Sequence, residues 1–378
     1  MTGETGIADY LRFVLGESLA RWAEAGTDGR GGFIERIGQD GTPDRAAPRR
    51  LRVQARQIYV FAEASRLGLI EAHALAADGF AAMAERYWSA DGGFIFSCDP
   101  EGGAHDPARY AYEQAFVLLA AAALYRLGRN RLVLDWAERT QRFLDERLAD
   151  PGGGGYFDAP GQDAPRGQNP HMHLFEAYLA LFEATGDRAW RRRAEAMLAL
   201  FCAHFLDPRG AVGEFFTARW QPAPGEAGAL REPGHQFEWA WLLARYRALC
   251  PDGQAVPAGA PLGFGLAGGI DPRDGLAFDA IGPDLHPRET SKRLWPQTEL
   301  LKALLAGLAA RPGPARAARI DRVCRTVTAR YRSAWGLWHD RLDPSGAPIA
   351  APAPASTLYH LFVAATELHR HRDLLAPA

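Results

Sequence analysis

The chain alternates between long stretches with a helical pattern and short polar stretches that hold a glycine close to an aromatic residue. In the long stretches Ala, Leu, Arg and Glu predominate, and apolar residues recur every three or four positions, as in an amphipathic helix. The short stretches, such as SADGGFIFSCDPEGG and SAWGLWHDRLDPSG, are rich in Gly, Pro and Asp, which predicts hairpins or tight turns. The pattern therefore predicts helices separated by short hairpins.

The hairpins recur at a nearly fixed interval. Their glycines, spaced 58 to 62 residues apart, are Gly32, Gly93, Gly155, Gly213, Gly275 and Gly336. Each interval has room for two helices of roughly 15 to 20 residues. The first helix of each pair is predicted to begin near Leu51, Tyr110, Pro170, Gly234, Arg293 and Ser356. The second is predicted near His73, Asn130, Asp187, Cys250 (the weakest) and Pro314, with residues 7–25 preceding the first hairpin.

The two helices of each pair differ in character. The first set is rich in Trp, Tyr, Phe and Ala, whereas the second set, for example DRAWRRRAEAMLALF, carries a charged face. We therefore expect the first set to be inner and the second outer, in an all-α (α/α)6 barrel of twelve helices with short β-hairpins between helix pairs. Because the N-terminal helix supplies the outer partner that the last unit needs, residues 1–378 are predicted to form a single closed domain.

Composition narrows the classes of function. The 378 residues have a net charge of −2, which supplies no general attraction to a nucleic acid or an anionic membrane. The four cysteines form no CxxC pair and no signal peptide is visible, which favours a cytoplasmic protein. No phosphate-binding loop is present and no GxGxxG motif opens a helix after a strand, and the pair His171 and His173 does not have the spacing of a helix-face metal site.

Polar residues interrupt the predicted inner helices near their N-terminal ends, where they are expected to surround one mouth of the barrel. These candidates are Arg56, Tyr112, Glu113, Asn169, His173, His235, Glu238, Trp295, Glu299 and His360. Histidines, carboxylates and an arginine around an apolar cavity suit a polar small molecule, and Trp239, Trp241 and Trp295 are candidates to pack on a sugar ring. The alternative for any single histidine is an ordinary hydrogen-bonded core residue.

At these residues the chain resembles the N-acylglucosamine 2-epimerase superfamily, and its D-mannose isomerase branch most closely. The matching segments span the whole chain: RVQARQIYVFA (52–62), YEQAF (112–116), NPHMHLFEAYLALFEATGD (169–187), EPGHQFEWAWLL (232–243), RLWPQTELLKALL (293–305) and STLYHLF (356–362). The family fold is the (α/α)6 barrel, in agreement with the repeat. The resemblance implies catalytic roles for His235 and His360, with supporting roles for Arg56, Tyr112, Asn169, His173, Glu238, Trp295 and Glu299.

The reaction that the resemblance implies is proton transfer beside a sugar carbonyl, through a cis-enediol or enediolate. Such a site needs a base that titrates near neutral pH and donors for the developing negative charge. Histidine suits the first need and Arg56 the second. Glu238, one helical turn after His235, is expected to fix that ring's tautomer, while Glu299 is expected to orient a neighbouring histidine or bind a hydroxyl.

The implied activity is cofactor-independent isomerisation of free D-mannose to D-fructose, with D-lyxose and D-xylulose as further substrates. The alternative is a sugar 2-epimerase of N-acylglucosamine or cellobiose type, with both histidines flanking C2. A remoter alternative is an (α/α)6 glycosidase or a non-catalytic sugar-binding protein. No metal or cofactor is expected, the partner is a monosaccharide, and the chain is expected to be a monomer or homodimer without nucleic-acid or membrane partners.

Overall fold

The computed structural model describes residues 5–162 and 165–375, and all the candidate residues lie in these ranges. Residues 1–4, 163–164 and 376–378 of the predicted domain lie outside them. Six long helices form an inner ring: Leu51–Arg66, Ala111–Gly128, Gln168–Thr185, Pro233–Leu249, Leu294–Ala310 and Ala355–Arg370. Each begins within two residues of its predicted start. Each also packs against the next, and the last packs against the first, so the ring is closed.

An outer layer of helices surrounds the ring. It consists of residues 6–25 (Gly6–Leu11, π-helical Arg12–Ser18 and Leu19–Ala25), His73–Tyr87, Arg131–Phe143, Arg188–Leu200, Gly259–Gly268 and Pro314–Tyr331. Two of these continue into π-helical turns, Leu144–Leu148 and Phe201–Phe205. The prediction of an outer helix starting near Cys250 is wrong by nine residues, because Pro251, Gly253 and Pro257 keep that segment out of a helix until Gly259. Two short helices, Gly225–Ala229 and Arg372–Leu375, and a 3₁₀ turn, Ala334–Gly336, complete the helical elements of the described ranges.

The N-terminal helix closes the barrel. Residues 6–25 pack against the inner helix Ala355–Arg370 and against the outer helix Pro314–Tyr331. Just after this helix, the strand Arg36–Ile37 pairs antiparallel with Ala353–Pro354 from the last unit. The first and last units therefore meet directly, which confirms the (α/α)6 barrel.

Short antiparallel strand pairs fix the points at which inner helices begin. Three pairings join consecutive units, namely Arg49–Arg50 with Ser97–Cys98, Arg166–Gly167 with Phe215–Phe216, and Lys292–Arg293 with Arg341–Leu342. Two more lie within a unit, namely Ser97–Cys98 with Ala104–Asp106 and Ala280–Ile281 with Pro287–Glu289. Since three of these strands, and Ala353–Pro354 of the first pairing, end directly before an inner helix, they hold those N-terminal ends at one side of the barrel.

Buried amide side chains tie the hairpins to the inner helices. The Gln54 amide accepts from the Phe33 N–H at 2.8 Å and donates to the Phe33 carbonyl at 2.8 Å. The same two hydrogen bonds recur between Gln114 and Phe94, Gln236 and Val212, and Gln297 and Ala277. In the third unit His171 takes this place, since its Nε2 accepts from the Tyr156 N–H at 2.9 Å. His171 is therefore a structural residue, and each of these inner helices is fixed in height by its own hairpin.

No helix in the described part of the chain combines the length and the apolar character needed to cross a bilayer.

Candidate active site

A cavity of about 190 Å³ opens at the mouth formed by the N-terminal ends of the inner helices. Its walls carry Arg56, Tyr112, Asn169, His173, Glu232, His235, Glu238, Arg293, Trp295 and His360. Every inner helix, or the residue directly before it, contributes at least one of these side chains. The structure thus brings together eight of the ten candidates predicted from the sequence. Glu299 lies directly behind His360, and Glu113 does not line the cavity but is buried in an ion pair with Arg52.

The site residues form two levels about one helical turn apart. Tyr112, Asn169 and Trp295 are the second residues of their helices, and His235 is the third. A deeper ring consists of the sixth residue of each inner helix, in chain order Arg56, Phe116, His173, Glu238, Glu299 and His360. Because one turn of helix rises about 5.4 Å, the first group forms the rim of the cavity and the second forms its floor.

His235 is oriented by the carboxylate of Glu214, which was not among the site residues predicted from the sequence. Its Nδ1 lies 2.8 Å from Glu214 Oε2, and both side chains are buried. Glu214 also accepts from Gln168 Nε2 at 3.0 Å and from the Glu232 N–H at 3.1 Å. These contacts hold the Glu214 carboxylate in place and aim His235 Nε2 at the cavity.

The prediction that Glu238 orients His235 is therefore wrong. Side chains on a helix lean toward its N-terminus, so His235 turns toward the hairpin that carries Glu214 and away from Glu238, one turn deeper. Within the described ranges, Glu238 Oε1 is buried without a hydrogen-bond partner. One signal could have revealed Glu214: it directly follows the hairpin glycine Gly213, where the other units carry an aromatic residue or leucine.

His360 has its own buried carboxylate. Its Nδ1 lies 2.8 Å from Glu299 Oε1, and Glu299 is fully buried. Of the two roles predicted for Glu299, orienting a neighbouring histidine or binding a hydroxyl, this contact fits the first. His173 repeats the arrangement within one helix, since its Nδ1 is 3.1 Å from Glu176 Oε2. All three histidines on the cavity therefore use Nδ1 to contact a carboxylate, and no described residue hydrogen-bonds to their Nε2 atoms.

The surroundings of the two principal histidines push their pKa values in opposite directions. Burial would lower the pKa of His235, but the Glu214 and Glu232 carboxylates outweigh it and raise the pKa to about 9. Burial, followed by the Arg56 and Lys302 cations, holds the pKa of His360 well below its usual 6.5. At neutral pH, the His235 ring is thus protonated and the His360 ring is neutral.

His173 and Glu238, which also line the cavity, have shifted pKa values. Burial lowers the pKa of His173 to about 4, so this ring is neutral at physiological pH. Burial and the Glu299 carboxylate raise the pKa of Glu238 to about 8, so this carboxyl holds a proton at neutral pH. A protonated Glu238 can donate a hydrogen bond from the floor of the cavity.

Arg56 brings a positive charge to the floor. Its guanidinium donates to the Tyr112 hydroxyl at 3.0 Å and lies 4.1 Å from the centre of the Phe116 ring. Among the residues that the structure describes, no carboxylate oxygen lies within 4.0 Å of its nitrogens. The charge of Arg56 is therefore available to a ligand oxygen, and Tyr112 and Phe116 hold it in position.

Trp295 is the tryptophan that reaches the cavity. Its ring centre lies 5.0 Å from that of His235 and 5.7 Å from that of His360, so it occupies the wall between them. Gly234 permits this approach, since a Cβ atom there would lie only 2.4 Å from the Trp295 ring. The prediction that Trp239 and Trp241 also face a sugar is wrong. Trp239 packs on aromatic residues between the helix layers, and Trp241 lies at the opposite end of the barrel.

Asn169 and Arg293 complete the rim. Asn169 Oδ1 has no hydrogen-bond partner among the described residues and can accept from a ligand hydroxyl. Arg293 is already engaged, because its guanidinium lies 2.9 Å from Glu232 Oε2 and 3.2 Å from Asp279 Oδ1. The rim thus offers hydrogen-bonding groups, and the charge on Arg293 is compensated.

Within residues 5–162 and 165–375, three groups of side chains have ligand atoms close enough to hold a metal ion. They are His173 with Glu176 and Glu238, His235 with Glu214 and Glu232, and His360 with Glu238 and Glu299. Each group contains one of the histidine–carboxylate contacts described above. These contacts account for the clusters without an ion, and the prediction of a metal-free reaction stays a prediction.

The barrel and its histidine-lined cavity define a class, the (α/α)6-barrel sugar isomerases and epimerases, and comparison with known proteins assigns the family. The family model of N-acylglucosamine 2-epimerase matches residues 32–364. The chain belongs to this family, whose members include isomerases and epimerases of sugars.

Some similar proteins are named isomerases and others are named epimerases. A mannose-6-phosphate isomerase of Rhizobium meliloti (strain 1021) is 38% identical over 363 residues, which cover 93% of each chain. A D-mannose isomerase of Thermobifida fusca is 33% identical over 342 residues, which cover 82% of each chain. Among solved structures, the cellobiose 2-epimerase from Bacillus thermoamylovorans B4167 superposes with a TM-score of 0.88 over 97% of this chain and 99% of that one. At 18% identity this last likeness shows the fold alone.

Proposed function

We propose that this chain is a cofactor-independent aldose–ketose isomerase that interconverts free D-mannose and D-fructose, and also D-lyxose and D-xylulose. The observation that carries the proposal is the pair His235 and His360, which face one small cavity with opposite protonation states at neutral pH. An isomerase needs both states, since opening the sugar ring requires an acid and moving a carbon-bound proton requires a base. We further propose that residues 1–378 act as one barrel domain.

The proposed chemistry divides the work between these two histidines. His235 donates a proton to the ring oxygen as the C1–O5 bond breaks, and the proton of the C1 hydroxyl leaves to solvent. His360 Nε2 then takes the proton from C2 and returns it to C1. The proton on O2 moves to O1 as the C2 carbonyl forms, so atoms and charge balance. Because Glu299 contacts Nδ1 of His360, Nε2 is the nitrogen free to act as base.

Arg56 and Glu238 suit the enediolate that lies between aldose and ketose. The negative charge grows on O1 and O2, and preorganised donors in a water-poor site stabilise it more than water does. Arg56 offers an uncompensated guanidinium, and the protonated Glu238 carboxyl offers a neutral donor on the same floor. Trp295 presents an apolar face to the sugar's CH groups from the wall between the histidines.

Two observations favour a free monosaccharide. The cavity of about 190 Å³ is smaller than the ~300–1,000 Å³ of sites for drug-sized ligands, which suits one sugar ring. At the rim, Arg293 is paired with Glu232 and Asp279, so a phosphate would have to displace carboxylates from it. We therefore propose mannose as the substrate in preference to a phosphorylated sugar, although one relative is named for mannose 6-phosphate.

A 2-epimerase is the second candidate. A base on one face of C2 and an acid on the other would also use a neutral His360 and a protonated His235. Isomerisation is preferred because the cavity suits a single ring and because two sequence relatives, at 38% and 33% identity, are named isomerases.

The decisive experiment is to incubate the purified protein with D-mannose in D2O and identify the product by NMR. Fructose is the expected product, with mannose 6-phosphate turned over at least tenfold less efficiently. Deuterium enters C1 only to the extent that the proton held by His360 exchanges with solvent before it returns. Glucose labelled at C2 without fructose would assign the chain as an epimerase. Release of monosaccharide from an oligosaccharide panel would instead indicate a glycosidase, and binding without turnover would indicate a sugar-binding protein.

A further inference from the structure

Lys302 is a buried ammonium group for which the proposed reaction has no direct use. It lies on the inner helix Leu294–Ala310, three residues after Glu299, and its side chain is fully buried. Its Nζ is 2.5 Å from Glu299 Oε2 and 3.8 Å from the centre of the Trp241 ring. It does not line the active-site cavity but lies behind the floor. Since burying an ammonium is costly, its retention here calls for a physical explanation.

Lys302 is joined to His360 through a single carboxylate. Glu299 Oε2 contacts the Lys302 ammonium, while Glu299 Oε1 lies 2.8 Å from His360 Nδ1. An ionised Glu299 can only accept hydrogen bonds, so Nδ1 must carry the proton and the Nε2 lone pair must face the cavity. A protonated Glu299 could donate to Nδ1, and the proton of a neutral His360 would then sit on Nε2. That second tautomer cannot act as the base.

The surroundings make the ionisation of Glu299 depend on a nearby cation. Burial raises the pKa of the Glu299 carboxyl, and the Lys302 ammonium opposes the rise. The other titratable or charged groups that face this cluster from the neighbouring helices are Tyr10, Arg56, His173, Glu176, Glu238 and Tyr359. Two of these are further carboxyls, Glu176 and Glu238, which disfavour a third negative charge. Lys302 is the cation in direct contact with Glu299.

We propose that Lys302 is a positioning residue that keeps Glu299 ionised and thereby holds His360 as the neutral tautomer with Nε2 open to the cavity. Lys302 touches neither the substrate nor the reacting atoms. An ionised Glu299 alone would also favour protonation of His360, as Glu214 does for His235. The Lys302 ammonium opposes this by its own charge, so the ring keeps the selected tautomer and stays neutral. The proposal rests on the proposed function only for its kinetic consequence, since the tautomer of His360 is a property of the free protein.

The test replaces Lys302 with methionine, which has a similar length and no charge, and observes the histidine rings by 15N NMR without substrate. His360 is assigned by comparison with His360→Gln. In the wild type at pH 7 we expect a neutral ring with its proton on Nδ1. In Lys302→Met we expect either the Nε2–H tautomer or an imidazolium ion, and a fall in kcat for mannose of about 10- to 100-fold with little change in KM.

The chain offers a matched control, because Lys292 is its other lysine and is also buried, with its Nζ 2.8 Å from Asp271 and 2.6 Å from Asp274. Lys292→Met removes a buried ammonium elsewhere and should leave the His360 tautomer unchanged. A Lys302→Met protein that keeps the neutral Nδ1–H form would overturn the proposal. If that variant does not fold, the wild type still decides, since an Nε2–H or charged His360 at pH 7 refutes it. These NMR spectra require no catalytic turnover, so they test the role of Lys302 independently of whether the chain is an isomerase.

Discussion

Replacement of Glu214 by glutamine tests whether a buried carboxylate sets the acid of the reaction. Glu214 Oε2 lies 2.8 Å from His235 Nδ1, and both groups are buried. In this environment the pKa of His235 is about 9, compared with the usual 6.5. A shift of about 2.5 units corresponds to roughly 3 kcal/mol in favour of the charged ring. Glutamine keeps the size and one acceptor oxygen but removes the negative charge, so the pKa of His235 should fall to 6.5 or below.

The consequence for activity depends on pH. At pH 8 a histidine with a pKa of about 9 is about 90% protonated, whereas one with a pKa of 6.5 is about 3% protonated. Glu214→Gln should therefore lower kcat/KM for mannose by about 30-fold at pH 8 but less than about twofold at pH 6. The assay is the initial rate of fructose formation between pH 5 and 10. The exposed Glu226, which lies in the short helix before Pro233, provides a matched Glu→Gln control.

Glu214→Gln should also lower the stability of the fold, by an amount that depends on pH. The raised pKa of His235 in the folded state stabilises the fold fully below pH 6.5, and this contribution disappears as the pH rises through about 9. The melting temperature of Glu214→Gln should thus fall furthest below that of the wild type near pH 6 and approach it above pH 9. An unchanged alkaline limb of kcat/KM, or an equal loss of activity at every pH, would show that Glu214 does not set the state of His235.

Four further results are expected. His235→Ala and His360→Ala should each lower kcat by about 10²- to 10⁴-fold, while circular dichroism shows both variants still folded; near-normal turnover in either would remove that residue from the mechanism. Gly155→Ala should cost about 1–3 kcal/mol of unfolding free energy, because Gly155 has φ +71° and a Cβ there would lie 2.8 Å from His171 Nε2. Gly161→Ala, with φ +75° but no described atom within 4 Å of a Cβ there, should cost less, and urea titration measures both changes. Arg166→Ala should cost about 3–5 kcal/mol, since its buried guanidinium pairs with Asp150 and donates to three backbone carbonyls. Dialysis against a chelator should leave kcat unchanged, and recovery of lost activity by one divalent metal would contradict the metal-free mechanism.

The repeat was readable from sequence because its signals are local. A glycine beside an apolar or aromatic residue marks each hairpin, and apolar periodicity marks each helix, so inner helices such as Leu51–Arg66 begin where predicted. The prediction fails where the local signal is weak, as at Gly259–Gly268, which contains four glycines and follows a loop with two prolines. Glu214 also stands out locally, because it follows the hairpin glycine Gly213. Only its contact with His235 in the structure shows what it does.

Tertiary structure decided which side chains meet. Glu214 lies 21 residues before His235, and Glu299 lies 61 residues before His360, and neither spacing indicates a contact. The structure also separated the tryptophans: Trp295 faces the cavity, whereas Trp241 points to the far end and meets Lys302.

The sequence by itself thus determined the six repeats, the order of the layers and the set of polar residues at one mouth. Only the tertiary structure decided the carboxylate partner of each histidine and, through those partners, which ring is charged. The physical reason is the distance over which each kind of interaction acts. Helix periodicity and turn chemistry act over a few residues, whereas the state of a buried histidine depends on charges within a few ångströms in space.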